Sequence, residues 1–139
     1  MTSRADKLGR MVSLVKLQLR LSEWQLAHLR QQERSLHEEQ EWLVRALNDG
    51  RPPAGSSSES IARRLNRTSV GARAVKEQAS LQLDQVRRES RRVKQLEEVA
   101  KAALADKLRD AEKRSLEEMT GVSPAVREWT PRPASRNKT

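Results

Sequence analysis

The chain contains no cysteine, phenylalanine or tyrosine, and it has no long uncharged apolar run. Without cysteine there is no disulfide framework, no thiolate metal site and no thiol nucleophile, and a reducing cytoplasmic setting is expected. Three tryptophans are the only aromatic residues, too few for a thick globular core or for a base-stacking platform. The opening stretch MTSRADKLGRMVSLVKLQLRLSEW carries Lys16 and Arg20 inside its apolar part, which argues against a signal-peptide core or a membrane insertion. Glycine and proline are scarce too, and four of those ten residues (Gly50, Pro52, Pro53 and Gly55) fall within ALNDGRPPAGSSSESI, residues 46–61. The long stretches on either side are therefore nearly free of helix breakers.

What is present is an almost equal mixture of apolar residues, 35%, and charged residues, 34%, which suits a helical seam better than a sphere. A frame of alternating four- and three-residue steps from Leu8 lands on Val12, Val15, Leu19, Ser22, Leu26, Leu29, Glu33, Leu36, Gln40, Leu43 and Leu47. Such a 3.5-residue period, held over so many turns, predicts a coiled-coil helix. Ser3 and Asp6 form a capping-box pattern at its start, and Asn48-Asp49-Gly50 followed by Pro52 supplies its stop. A second capping-box pattern, Ser56-x-x-Glu59, opens a second seam through Ile61, Leu65, Thr68, Ala72, Val75, Ala79, Gln82, Val86, Glu89, Val93, Leu96 and Ala100. Beyond it the apolar positions shift to Leu104, Leu108, Ala111, Ser115 and Met119, read as a stutter.

The expected fold is therefore all-α: an antiparallel two-helix coiled coil over residues 1–120. Its helices would run from about 4 to 49 and about 58 to 119, joined by a bend at 50–57. With the stop at Gly50 and a cap at Ser56, about six or seven residues would separate the helices, short enough for antiparallel neighbours. The second helix is the longer, so its last turns should project past the first helix's N-terminus. Residues 121–139 hold three prolines and no heptad, and are expected to be a disordered, flexible basic tail, with Trp129 as a candidate contact.

Net charge is +9, which raises nucleic acid as a partner. Acids and bases, however, alternate through both long segments, as on solvated helix faces, and nucleic acid is disfavoured. The densest basic run is RRESRRVK, in which Arg87, Arg88, Arg91 and Lys94 fall on the outer face of the second helix and are candidates for an acidic partner. There is no phosphate-binding glycine loop, no histidine-carboxylate pair at metal spacing and no nucleophile with a base. His28 and His37, nine residues apart, point in opposite directions on a helix. No catalysis, cofactor or metal is expected.

One pattern in the first helix exceeds what a hairpin needs. Leu14, Leu17, Leu21 and Trp24 repeat at three-four-three spacing about 200° around the helix from the seam. A single partner helix cannot cover both faces, so this stripe is the leading candidate for partner binding, by another protein or by self-association. Trp42, outside the seam near the bend, is a further candidate anchor.

The apolar N-terminal heptads in KLGRMVSLVKLQLRLSEWQLAHLRQQE, the polar bend near residues 50–58 and a longer second helix ending AKAALADKLRDAEKRSLEEM together resemble the FliJ and YscO family, small stalk proteins of bacterial flagellar and type III secretion export machines. The resemblance covers residues 1 to about 120 and rests on architecture, not on a local motif. It implies a non-enzymatic rod that binds the hexameric export ATPase, the membrane export gate and secretion chaperones, in the cytoplasm or peripherally at the inner-membrane export apparatus. Two other readings stay open at this point: a basic nucleic-acid-associated coiled coil, and a homo-oligomeric structural coiled coil.

Overall fold

The computed structural model describes residues 3–50 and 55–121. Two helices account for almost all of them: α1, Arg4–Asn48, and α2, Ser58–Met119. They pack against each other along the length of α1, in the expected antiparallel hairpin. Cross-helix bonds fix the direction. Near the bend Arg64 pairs with Glu39 at 2.6 Å and Gln40 donates to Ser69 Oγ at 2.8 Å. Midway Gln82 donates to the Ser22 carbonyl at 3.1 Å, further on Lys16 meets Glu97 at 3.2 Å, and at the far end Lys107 reaches Asp6 at 3.2 Å.

Local signals explain the helix ends. Ser3 Oγ accepts from the Asp6 N–H and the Asp6 carboxylate accepts from the Ser3 N–H, a reciprocal box that satisfies amides with no intrahelical partner. Both helices stop the same way. Gly50 and Gly121 take left-handed φ values of 62° and 66°, and each N–H donates to the carbonyl three residues back, on Leu47 and Glu118. The start of α2 corrects the expected cap by one residue. Ser57, not Ser56, is the N-cap; its Oγ accepts from the Ser60 N–H, and Glu59, outside the cap, places an acidic charge in the first turn and pairs with Arg63 at 3.2 Å. The connection consequently extends from Asp49 to Ser57.

Every position of the two expected seams is buried or half-buried, from Leu8 to Leu47 and from Ile61 to Ala100. Leu43, with no exposed surface, is the most deeply packed side chain; Leu26, Ile61, Ala72, Ala79 and Val93 complete the buried apolar set. Alanines at these α2 positions let the two axes approach closely. The stutter is a different matter. The original frame continues to Ala103, which is half-buried, and to Lys107, which bonds Asp6. Leu104, Leu108, Ala111, Ser115 and Met119 are exposed instead, because Ala103 and Lys107 of the original frame turn toward the first turns of α1 and the last turns of α2 lie past its end. The tail at 122–139, with Trp129, lies outside the described residues.

Candidate protein-binding face of the first helix

In heptad terms the seam of α1 takes two of the seven positions, and Leu14, Leu17, Leu21 and Trp24 occupy the two positions on the far side. The fold leaves all four in the open: Leu14 is 66% exposed and Trp24 63%, with Leu17 and Leu21 close behind and Met11 on the rim at 45%. The opposite rows of the same turns, Val12, Val15, Leu19, Ser22 and Leu26, face α2. Trp24 lies flat on His28 one turn later, ring centroids 5.5 Å apart and planes 5° from parallel, which presents a broad stacked surface.

Trp42, also exposed, continues the same face. It follows Trp24 by eighteen residues, five full turns or about 27 Å, and so returns to the same azimuth. Between the two tryptophans the face is polar, through Gln31, Ser35 and Glu38. Near the bend a shallow groove is lined by His37, Val44, Leu65 and Ser69, where His37 Nδ1 lies 3.1 Å from Gln40 Oε1.

The basic run lies elsewhere on the rod's circumference but at the same height. Contacts of Ser22 with Gln82 and of Lys16 with Glu97 bracket the stretch, so residues 16–22 of α1 lie level with the middle of the 82–97 stretch of α2. Arg87, Arg88, Arg91 and Lys94 are all exposed there. Arg88 donates to Gln85 at 2.7 Å and Arg87 makes only a 3.9 Å contact with Asp84; Arg91 and Lys94 have no ion-pair partner among the described residues. This section of the rod thus combines an apolar, uncharged α1 face with a cationic α2 face.

Glu89 is the most unusual polar residue. Only 8% of it is exposed; Oε1 accepts from Gln85 at 2.8 Å, and Oε2 is buried without a hydrogen-bond partner among the described residues. By the register it lies against the Val15–Leu19 stretch of α1, so the seam is weakest behind the outward apolar stripe.

The sequence pattern locates the stripe and the basic run but misleads or falls silent on two features. Leu104 and Leu108, and Leu116 and Met119 at the projecting end of α2, have seam-like helical spacing yet are exposed; continuing the original frame through Ala103 and Lys107 signals the first pair, and the shorter length of α1 the second. The charge-free rim beside the stripe, Gln18 and Gln25, is the second, and the heptad positions of those two glutamines are the signal that could have found it. Among the described residues no group of acidic, histidine or cysteine side chains is arranged to hold a metal, and no helix is long and apolar enough to cross a membrane. No family model, curated protein or solved structure matches the chain.

Proposed function

We propose that the protein is a non-enzymatic coiled-coil stalk or adaptor that docks other proteins through the outward face of α1. The observation that carries this reading is the exposed row Leu14, Leu17, Leu21 and Trp24, backed by a seam that already occupies the opposite side of the helix. Burial of each such side chain against a partner contributes about 1.5–3 kcal/mol, and tryptophan is the residue most enriched at binding hot spots. The basic run at the same height adds long-range attraction for an acidic protein surface and favours fast association over raw affinity.

The resemblance to the FliJ and YscO family supports a more specific role, as the stalk of a bacterial type III-type export apparatus, in the cytoplasm at the inner-membrane gate. Its partners would be the hexameric export ATPase, the export gate and secretion chaperones. A pull-down of the hexameric export ATPase by the intact protein tests this. Capture that is lost with Leu17→Asp and Leu21→Asp is expected; failure to bind or stimulate the ATPase, where an established stalk protein does both, would overturn it.

A further inference from the structure

The outward stripe of α1 has a neighbourhood that singles out one occupant. From Met11 to Ser35, every residue in the three adjoining outer rows is uncharged and exposed, in a chain where 34% of residues carry charge. The upper half of this strip is apolar and the lower half is amide, imidazole and hydroxyl: His28, Gln31, Gln32, Ser35. The α2 surface at the height of the apolar half is cationic, with Arg87, Arg88, Arg91 and Lys94 exposed. Two copies of a chain of net charge +9 repel where their basic α2 runs would meet, whereas the α1 strip offers them three uncharged rows.

We infer that this face closes on a second copy of the chain, α1 against α1 and antiparallel, to give a four-helix segment in the middle of a longer rod. The inference rests on the reading of this face as a protein-docking surface and names its occupant. The apolar half exposes roughly 650 Å² of side-chain surface, which exceeds what a soluble monomer usually leaves uncovered. Doubled over two copies it sets a ceiling of about 1,300 Å² on the apolar surface the contact can bury, at the low end of the range of specific dimers.

Direction follows from the ends of the strip. Parallel copies would stack Lys7 and Arg10, which continue the stripe's own two rows, on their equivalents inside the new seam. Antiparallel copies place Arg10 opposite His28 and Lys7 opposite Gln31, with Leu17 against Leu21 and Leu14 against Trp24 as the central layers. Arg20 and its equivalent lie beside the two-fold axis on the rim opposite Gln18, where both are exposed and water weakens their repulsion. The two α2 helices lie outermost, three interaxial spacings or about 25–30 Å apart, well beyond the Debye length at physiological salt, so their basic runs do not oppose the contact.

The absence of cysteine makes the test clean. Gln18 sits beside the inferred two-fold axis and Gln25 about 18 Å from its own equivalent. Sedimentation equilibrium of the full chain is expected to give a reversible dimer of twice 15.9 kDa, which becomes monomeric with Leu17→Asp and Leu21→Asp while the circular-dichroism signal is retained. Under mild oxidation Gln18→Cys is expected to form a disulfide-linked dimer at least tenfold faster than Gln25→Cys. A monomer throughout the micromolar range, or equal cross-linking at both positions, overturns the inference. If the monomer still captures the export ATPase through Leu17 and Leu21, the inference fails and the docking reading stands. A dimer with this cross-linking pattern that does not bind the ATPase upholds the inference and removes the export role.

Discussion

The two ends of the rod solve different problems. Beside the bend, Leu43 is wholly buried and Ile61 is 4% exposed, with Arg64 and Gln40 tying α2 to α1 around them. Toward the open end the large seam residues Val12, Val15 and Leu19 are only half-buried, the incompletely satisfied Glu89 lies at their height on α2, and the best aliphatic material of the helix points outward. Near the loop, the short connection holds the helices close and large side chains fill the seam, so that end is organised for folding. At the open end the same helix spends its leucines on a surface that the hairpin cannot use, which is what a binding surface requires.

The most severe test separates the two faces of that open end. Val15→Asp with Leu19→Asp places two carboxylates in the seam and should abolish cooperative unfolding, because uncompensated buried charges neutralise only at large cost. Leu17→Asp with Leu21→Asp changes the same number of residues on the same turns but should leave helicity nearly intact and remove partner binding. Equal loss of circular-dichroism signal in the two variants would show that the faces are not distinct.

The next contrast sets one end against the other. Leu43→Ala should cost about 3–4 kcal/mol, since a fully enclosed leucine leaves a cavity that its surroundings only partly fill. Val15→Ala, half-buried, should cost about 1 kcal/mol. Urea denaturation measures both, and similar values would mean that the seam is uniformly packed. Glu89→Leu runs in the other direction. Replacing a buried carboxylate that lacks a partner for Oε2 among the described residues with an aliphatic side chain should stabilise the hairpin by about 1–3 kcal/mol, at the expense of register specificity. A fall in stability would show that the carboxylate has a partner in solution.

Much of this architecture is legible in the sequence because its information is one-dimensional. The 3.5-residue period, the Ser3–Asp6 box and the glycine past the end of α1 act locally, and each operates in the structure as read. The failures have a common cause. Choosing Ser57 over Ser56 as N-cap depends on where the loop delivers the chain, and Glu59 could not decide it. Treating Leu104, Leu108 and Met119 as seam assumes that helical spacing implies a partner, whereas Ala103 and Lys107 turn toward α1 in place of the first two and α1 is too short to reach the third. Periodicity says which residues share a face; only the relative lengths of the elements say what covers it. The outward stripe is recognisable for that reason, since a second face with no second partner is already visible in a helical wheel.

A smaller effect probes how well ordered the open end is. Gly9 lies inside α1 in that region, and a methyl group added there would touch nothing within 4 Å. Gly9→Ala should therefore stabilise by about 0.5–1 kcal/mol through helix propensity alone. Gly71→Ala, nearer the bend, adds a Cβ at 3.9 Å from a Leu36 methyl, an ordinary contact, and should gain a similar amount. A markedly smaller gain at Gly9, read from thermal unfolding, would indicate that the N-terminal turns of α1 fray in the parent chain.

The smallest expected effect is the most local. Asp6 joins the two helices at the extreme open end: its carboxylate accepts from the Ser3 N–H and from Lys107 Nζ, while Ser3 Oγ takes the Asp6 N–H. The hydrogen bonding with Ser3 foremost, and then Lys107, holds its pKa below the ordinary aspartate value. A carboxyl so shifted binds fewer protons in the folded state than in the unfolded one. Its contribution is complete above the ordinary aspartate range and is lost as the pH falls through that range to the lower folded value. Because the group lies in solvent, the loss should register as faster amide exchange in the first turns of α1, with the bend end unaffected. Asp6→Asn should abolish that pH dependence while leaving exchange around Leu43 and Ile61 unchanged. If the N-terminal turns of wild type and variant respond identically to acid, Asp6 does not fasten this end, and the open half of the rod is held by its seam alone.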